Sequence, residues 1–273
     1  MDMPIYILPD EWDGLTEDER QQLAAVLAEE RAAAEAFPQK SIACRGSFYA
    51  KYGKRILDVL LSGAALILCL PINLILAIVT YFDVGRPILF RQERVGRGGK
   101  LFYLTKFRNM TNATNARGIL LSPEARVTRW GKFVRKTSLD ELLNFWSVFK
   151  GDMSLIGPRP LPKKYRNRFS YYHQQRHLVR PGLECPFHDP ALARKGWQGR
   201  LDNDVWYVEH LSFATDVRMM LLLVKKVFSR KERAESANGQ VGEFMGYNPD
   251  GTVIDSNTIP HRYLDRTGLY IEQ

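Results

Sequence analysis

The side chains best suited to catalysis stand in one short run, Arg135-Lys136-Thr137-Ser138-Leu139-Asp140-Glu141-Leu142. A carboxylate in the first turn of a helix is held ionised by the positive end of the helix dipole, which suits a nucleophile or a metal ligand. Because adjacent helical positions are rotated by about 100°, Asp140 and Glu141 would face different groups. One would face a phosphorus atom and the other a metal or an incoming group. Arg135 and Lys136 would supply positive charge for a diphosphate.

The same run also has a purely structural interpretation. Ser138 and Glu141 have the spacing of a capping box that opens a helix over Leu139–Phe149. On that interpretation the acidic pair satisfies backbone donors and complements the helix dipole. The run alone leaves both interpretations open.

A second candidate is Arg159, which lies between two prolines in Gly157-Pro158-Arg159-Pro160. The prolines fix the backbone on either side, so the guanidinium is presented from a stiff loop. A pre-positioned guanidinium binds phosphate oxygens through two parallel hydrogen bonds. The alternative is a proline-rich turn with a solvated arginine.

Two further patterns are weaker. The glycines at positions 96, 98 and 99 do not form a P-loop, because no Lys-Ser/Thr pair follows them. Four possible zinc ligands occur close in sequence, but their spacing does not match familiar zinc patterns. They are His173, His177, Cys185 and His188.

The element that would bring such a site to a membrane is the apolar run Ile56–Phe82, which is 27 residues long. As a straight helix it would extend about 40 Å, enough to cross a hydrocarbon core of about 30 Å. Pro71 lies near its midpoint and should break or kink the helix, and basic residues flank both ends, which keeps both ends cytoplasmic. We therefore predict a re-entrant hairpin that breaks at Pro71; a kinked transmembrane helix and a buried core helix are the alternatives. Asp58 is costly in lipid, so we expect it to pair with Lys54 or Arg55.

The remaining elements follow from shorter patterns. Two apolar runs around the Gly- and Arg-rich turn at residues 94–99 predict a β-hairpin. Residues 127–150 are mostly helical in pattern, and the apolar stretch 216–230 predicts a helix in the core or in the membrane interface. A capping box at Thr16 and Glu19 opens an Ala- and Glu-rich helix that Pro38 ends, which we interpret as a solvated helix or a docking arm.

The charge of the chain is divided unevenly. The net charge is +9, yet residues 1–42 hold ten acidic and three basic residues, so the rest of the chain is strongly basic. A basic surface favours anionic partners. The three widely spaced cysteines, Cys44, Cys69 and Cys185, argue against a disulfide framework and indicate a reducing compartment. The acidic N-terminus predicts no cleaved secretory signal.

Taken together, the motifs resemble those of the monotopic polyprenol-phosphate phosphoglycosyl transferases, the bacterial sugar transferase family. The resemblance covers roughly residues 46–230, and the acidic octet and the Gly-Pro-Arg-Pro block together are its most specific part. The matching landmarks run in family order: Lys54-Arg55-x-x-Asp58, Pro71, Pro87-x-x-Phe90-x-Gln92-x-Arg94-x-Gly96, Lys106-Phe107-Arg108-x-Met110, Thr137 to Leu142, Gly151-Asp152-Met153-Ser154-x-x-Gly157-Pro158-Arg159-Pro160, Arg180-Pro181-Gly182 and Asp204-x-x-Tyr207-Val208.

The resemblance implies an α/β, mostly helical, single catalytic domain with an N-terminal re-entrant membrane hairpin and interfacial amphipathic helices. It divides the chain into an acidic extension (1–42), the hairpin (46–85), the catalytic domain (86–235) and a C-terminal extension (236–273). The protein is then expected to be monotopic on the cytoplasmic face of the inner membrane, in contact with phospholipids. Members often form homodimers, and no nucleic-acid partner is expected.

The resemblance also implies a reaction. Asp140 would attack the β-phosphate of a UDP-sugar, release UMP and carry the phosphosugar until polyprenyl (undecaprenyl) phosphate accepts it. Mg²⁺ is the implied cofactor, held by Asp140 and Glu141. Five cationic residues would bind substrate phosphates: Lys106, Arg108, Arg135, Lys136 and Arg159.

The chain departs from the family pattern after Arg180-Pro181-Gly182. A Thr-Gly-Trp-Ala-Gln-like stretch is usual there, whereas this chain has Leu183-Glu184-Cys185-Pro186-Phe187-His188-Asp189. The nucleotide or sugar pocket is therefore expected to differ. The stretch 236–248 resembles small members that act on diacetamido-sugars. The rival interpretations are a non-enzymatic, basic membrane-surface protein and a glycosyltransferase that releases UDP.

Overall fold

The protein was analysed as a computed structural model, which describes residues 22–23, 25–27, 40–44, 46–115, 118, 121–228, 242–248, 250–256 and 258–259. Its longest element is helix α1, Lys54–Val84, which a turn at Tyr49–Gly53 precedes. Only 11% of its most apolar 18 residues are buried, so most of this apolar stretch is exposed. The predicted break at Pro71 is not confirmed, because the helix continues through this residue. A proline inside a helix removes one backbone donor without necessarily ending the helix.

Both ends of α1 are bonded to the rest of the protein. Near its start, the carboxylate of Asp58 accepts hydrogen bonds from the Ser154 hydroxyl and the Leu155 amide, each at 3.0 Å. Near its end, Asp83 Oδ2 lies 2.6 Å from the hydroxyl of Thr128. The segment between these two attachments exposes large apolar side chains: Leu60, Leu61, Ile67, Leu68, Leu70, Ile72, Leu74, Ile75 and Ile78.

The partner expected for Asp58 was wrong. The ammonium of Lys54 lies 2.6 Å from Asp216 instead, and the guanidinium of Arg55 donates to two backbone carbonyls. Asp58 is buried and satisfied by neutral donors, so it needs no direct ion pair.

The predicted β-hairpin is confirmed. Strands β1 (Leu89–Val95) and β2 (Leu101–Phe107) are antiparallel, with Leu89 opposite Phe107 and Val95 opposite Leu101. The turn Arg97–Gly99 joins them, and Gly98 and Gly99 both adopt the positive φ that glycine tolerates.

Short elements make up the rest of the described chain. Helices α2 to α4 follow the hairpin, and β3 pairs in parallel with β4. Two longer helices, α6 and α7, come next, and β5 pairs with β6 antiparallel. The bounds are α2 Pro123–Arg126, α3 Arg129–Thr137, α4 Asn144–Lys150, β3 Ser154–Ile156, α5 Tyr171–Gln174, β4 Gly182–Glu184, α6 Gly196–Glu209, α7 Phe213–Phe228, β5 Phe244–Tyr247 and β6 Val253–Asp255.

Helix α6 lies at the centre of the core. Its residues Val205, Tyr207 and Val208 are fully buried. The Tyr207 hydroxyl lies 3.1 Å from the carbonyl of Ile156 in β3 and 2.6 Å from Asp216 in α7. One side chain thus links three elements.

Helix α7 confirms the helix predicted over 216–230 as far as Phe228, and residues 229–230 lie outside the described part of the chain. The helix has a partly exposed apolar face. The exposed residues recur at helical spacing, so they form one stripe. They are Phe213, Val217, Leu221 and Val224.

The terminal extensions also contribute to the core. Phe244 and Tyr247 of β5 are buried against Tyr165, Phe169 and Trp197. The predicted N-terminal helix lies mostly outside the described residues. Its described residues are helical, and Leu23 and Leu27 are buried. The side of this helix that carries Leu23 and Leu27 is therefore packed against the protein rather than solvated.

Candidate active site

The acidic octet forms a turn between two helices. Ser138 ends α3 in the left-handed conformation, with φ 57°, and its side chain makes no capping hydrogen bond. A 3₁₀ turn, Leu139–Glu141, follows directly, and α4 begins only at Asn144. The capping-box interpretation of Ser138 and Glu141 was therefore wrong, because Ser138 is used to end one helix rather than to begin the next.

Asp140 is buried at the start of this turn, with 4% of its surface exposed. Its Oδ2 accepts a hydrogen bond of 3.1 Å from the side-chain amide of Asn109. The Oδ1 of Asn109 in turn accepts one of 3.1 Å from Arg135 Nε. Asn109 thus joins the carboxylate to one of the predicted phosphate-binding cations.

The position of Asn109 depends on a glycine in the facing helix. Any Cβ on Gly131 of α3 would clash with the backbone carbonyl of Asn109. Thr128 caps α3 by accepting from the Gly131 amide at 2.8 Å. The close approach of α3 to Asn109 therefore requires glycine at this position.

The electrostatics of Asp140 differ from the expectation. Burial raises the pKa of its carboxyl, whereas Lys106 and Arg135 lower it and Glu141 raises it further. The predicted effect of a helix dipole is small, since the 3₁₀ turn has only three residues. Burial also lowers the pKa of Lys106, which the negative charges of Asp140 and Glu141 oppose.

Glu141 lies on the open side of the site with Arg159. Nη2 of Arg159 is 3.2 Å from Glu141 Oε1, and Nη1 is 3.4 Å from Glu184 Oε2. The arginine side chain is 45% exposed. Arg159 is therefore neither a plain solvated side chain nor buried, and an anionic ligand can reach it.

Two other arginines hold the backbone of the Arg159 loop in place. Its carbonyl accepts a hydrogen bond of 2.8 Å from Arg176, which forms a buried ion pair of 2.6 Å with Asp204. The next carbonyl, that of Pro160, accepts one of 3.0 Å from Arg94. Burial lowers the pKa of Arg94, and the nearby positive charge of Arg159 lowers it further. The prediction of a stiff loop around Arg159 is supported by these contacts.

The structure separates two of the predicted phosphate-binding residues from the acidic pair. The guanidinium of Arg108 donates to the carbonyl of Val84 at the end of α1. Lys136 is exposed on α3 and donates no hydrogen bond to either carboxylate within the described part of the chain. The contact between Arg108 and Val84 joins residues 24 positions apart, and local spacing does not predict it.

The possible zinc ligands have other neighbours, and the Sγ of Cys185 lies 3.4 Å from the side-chain amide of Asn203. His173 contacts Tyr247 and Asp202, at 2.8 and 3.0 Å. Burial lowers the pKa of His177 to about 3, and the ring of His188 stacks on Trp206 at 3.9 Å between centroids. Over the described ranges, no three His, Cys, Asp or Glu side chains come close enough to hold a metal.

Sequence reasoning missed three residues that complete the site. Asn109 is the unassigned position of Lys106-Phe107-Arg108-x-Met110, and Glu184 lies where the chain departs from the family pattern. Arg94 lies among the landmarks but was given no role. The site as a whole is a buried carboxylate with a half-buried one beside it, surrounded by cations that can hold a phosphorylated substrate.

Comparisons with known proteins agree with a site for a phosphorylated substrate. Residues 49–230 match the family model described as bacterial sugar transferase. A protein named "uncharacterized sugar transferase EpsL" from Bacillus subtilis is 39% identical over 176 residues, which is 64% of this chain and 86% of that protein.

Two relatives carry specific names. The UDP-glucose:undecaprenyl-phosphate glucose-1-phosphate transferase of Klebsiella pneumoniae is 36% identical over 195 residues, 65% of this chain and 40% of that protein. The UDP-N-acetylgalactosamine-undecaprenyl-phosphate N-acetylgalactosaminephosphotransferase of Aeromonas hydrophila is 33% identical over 184 residues, 64% of this chain and 44% of that protein. The chain therefore spans less than half the length of these two relatives.

Proposed function

This chain belongs to the bacterial sugar transferase family, and from that premise we propose that it transfers a sugar phosphate from a UDP-sugar to polyprenyl phosphate. The natural acceptor is undecaprenyl phosphate, and UMP is released. The observation that carries this proposal is the buried Asp140, which Asn109 orients next to the Glu141–Arg159 pair. The names of the relatives supply the donor and acceptor classes.

In the first half-reaction, a carboxylate oxygen of Asp140 forms a bond to the β-phosphorus of the UDP-sugar. The bond between this phosphorus and the bridging oxygen breaks, and UMP leaves with the bridging oxygen and its electron pair. The product on the protein is an aspartyl phosphosugar. The hydrogen bond from Asn109 fixes the orientation of the attacking carboxylate, which lowers the entropy cost of reaching the transition state.

Cations around Asp140 stabilise the charge that moves during this step. The half-buried Lys106 and the exposed Arg135 both interact electrostatically with Asp140. Arg159 acts on the open side and can exchange its carboxylate partners for phosphate oxygens. Fixed positive charges of this kind stabilise a transition state more effectively than mobile water.

In the second half-reaction, an oxygen of polyprenyl phosphate attacks the phosphorus of the aspartyl ester. The bond between phosphorus and Asp140 breaks, and the carboxylate is regenerated. The product is a polyprenyl diphosphate sugar, which stays in the membrane. This step requires the acceptor phosphate to reach the same buried carboxylate.

The acidic pair fits a magnesium ion. Mg²⁺ is usually held by one or two carboxylates together with substrate phosphates, and Asp140 and Glu141 are adjacent, with the Glu141 side chain 32% exposed. These two residues would hold the ion. Bound there, Mg²⁺ would neutralise charge on the diphosphate and so permit an anionic nucleophile to approach.

The position in the membrane is also part of the proposal. Asp58 and Asp83 attach both ends of α1 to one body, which supports a placement of both ends on the same side of the bilayer. We infer a monotopic protein on the cytoplasmic face of the inner membrane, with α1 re-entrant at Pro71 and the apolar stripe of α7 in contact with phospholipids.

The deciding experiment measures nucleotide release from the detergent-solubilised protein. The assay supplies a panel of UDP-sugars, diacetamido-sugars included, with polyprenyl phosphate and Mg²⁺. We expect UMP with one donor or a few, and none from Asp140→Asn. Release of UDP would identify a glycosyltransferase, and no nucleotide release from folded protein with any donor would favour a membrane-surface binding protein.

A further inference from the structure

An open apolar groove of about 770 Å³ lies where α1 ends. Four of its lining residues belong to the last two turns of α1, and the others belong to the segment that leads into β1. The main lining residues are Ala77, Ile78, Tyr81, Phe82, Arg86 and Ile88. With α1 in the membrane as proposed above, this groove opens toward the bilayer rather than toward the soluble nucleotide.

The groove ends beside the residues that hold the nucleophile. The carbonyl of Ile88 accepts a hydrogen bond of 2.9 Å from the Arg108 amide. The next residue, Asn109, is the one that binds Asp140. Ala77 of the groove also packs in the same apolar cluster as Leu139, which precedes Asp140 in sequence.

Positive charge is concentrated at this end of the groove. Arg86 is the charged residue of its lining, and its guanidinium lies 5.7 Å from the centre of the Tyr81 ring. In Arg108, whose amide bonds to Ile88, the Nε and Nη1 atoms are buried and have no hydrogen-bond partner among the described residues. Buried donors of a guanidinium are costly unless an acceptor reaches them. The groove thus has apolar walls and an end suited to an anion.

We propose that this groove is the acceptor site, which takes the first isoprenoid units of polyprenyl phosphate and binds its phosphate through Arg86. The inference rests on the proposed function and adds the location of the acceptor. The apolar walls match the isoprenoid chain, the arginine matches the phosphate, and the position next to Asn109 allows the phosphate to reach the phosphosugar on Asp140. The apolar walls and the arginine together select a membrane lipid that has an apolar tail and a single terminal phosphate.

Two variants test the two features of the site separately. Ile78→Trp places a large ring in the groove at a position that is 59% exposed, so folding should tolerate it. Arg86→Gln removes the cation. The matched controls are Ile67→Trp, on the same helix at a residue that is 75% exposed and outside the lining, and Arg91→Gln, an exposed arginine of β1.

The two half-reactions are measured independently. UMP release in a single turnover without acceptor reports the first, and formation of polyprenyl diphosphate sugar at varied acceptor concentration reports the second. We expect Ile78→Trp and Arg86→Gln to raise the KM for polyprenyl phosphate about tenfold or more, with UMP release unchanged. The controls should match the unmodified protein in both assays.

A binding measurement separates this inference from the proposed reaction. Asp140→Asn protein is released from nanodiscs that contain polyprenyl phosphate and phosphatidylethanolamine, and retained lipid is identified by native mass spectrometry. Loss of retained polyprenyl phosphate in the two groove variants supports the site even if no donor is turned over. Equal retention in all variants, or equal loss of phosphatidylethanolamine, would show that the groove is an ordinary lipid contact and would overturn the proposal.

Discussion

The side-chain amide of Asn109 lies 3.1 Å from the Oδ2 of Asp140 and is the hydrogen-bond donor that orients this buried carboxylate, the proposed nucleophile. The two residues are 31 positions apart, and the close approach of Gly131 to the Asn109 backbone keeps them together. Orientation of the buried carboxylate thus depends on a neutral side chain outside the acidic octet.

Asn109→Ala should therefore reduce the rate of UMP release about 10- to 100-fold, the range for one lost hydrogen bond to a charged group. Single-turnover kinetics on the UDP-sugar give this rate. Asn248→Ala, which removes an exposed amide bonded to Thr252, is the matched control and should have no effect. An Asn109→Ala rate equal to that of the unmodified protein would remove Asn109 from the site.

Arg159→Lys should lower activity by about 100-fold, because an ammonium cannot replace two divergent guanidinium bonds. Its melting temperature should hardly change, since the ion pairs of Arg159 with Glu141 and Glu184 are partly exposed and contribute about 0–1 kcal/mol. Lys163→Ala breaks another exposed ion pair, with Glu93 at 2.9 Å, and should preserve both activity and stability. A large fall in melting temperature with Arg159→Lys would indicate a structural role instead.

Asp140→Asn should make the protein more stable at pH 7 while abolishing turnover. Burial raises the pKa of the folded carboxyl above its unfolded value of about 4. Ionisation of Asp140 therefore lowers the free energy of unfolding as the pH rises from the unfolded pKa through the folded pKa. The asparagine side chain does not ionise, so the variant does not lose this stability. We expect a melting temperature about 2–4 °C higher at pH 7, with the difference shrinking toward pH 4. A variant that is less stable at neutral pH would contradict this electrostatic account.

Removal of divalent metal by EDTA should abolish UMP release, and added Mg²⁺ should restore it. Glu141→Gln should raise the Mg²⁺ concentration required for half-maximal activity about tenfold or more. Glu93→Gln, an acidic residue of β1 outside the site, is the control. Full activity in EDTA would rule out a metal at Asp140 and Glu141.

Membrane topology can be tested with single cysteines. With Cys44, Cys69 and Cys185 replaced by serine, Lys51→Cys and Lys100→Cys place one exposed thiol on each side of α1. A membrane-impermeant maleimide should label both in inside-out vesicles and neither in intact spheroplasts. Labelling of the two positions from opposite sides would establish a straight crossing and contradict the re-entrant helix.

The sequence predicted correctly the elements whose conformation depends on residues close together in the chain. The β1–β2 hairpin follows from two apolar runs around a glycine-rich turn, and the α7 helix follows from its apolar stretch. Glu141 and Arg159 were separate candidates in the sequence, and the structure brings them together.

The errors concern residues whose role depends on distant partners. Ser138 satisfies the spacing of a capping box, but the end of α3 requires it in the left-handed conformation. Asp58 was expected to pair with a cation close in sequence, but its carboxylate accepts hydrogen bonds from Ser154 and Leu155. Asn109 is placed by the contact of α3 with its backbone, and spacing along the chain carries no information about that contact.

The attachment of α1 at both of its ends has one more consequence. In the proposed re-entrant topology, the attachment of Asp58 and Asp83 to the same body sets how deeply the protein is immersed in the membrane. The height of Asp140 above the hydrocarbon layer is then a constant of the fold. A lipid-borne phosphate at the headgroup level and a nucleotide arriving from water can meet at that height without either one leaving its own solvent.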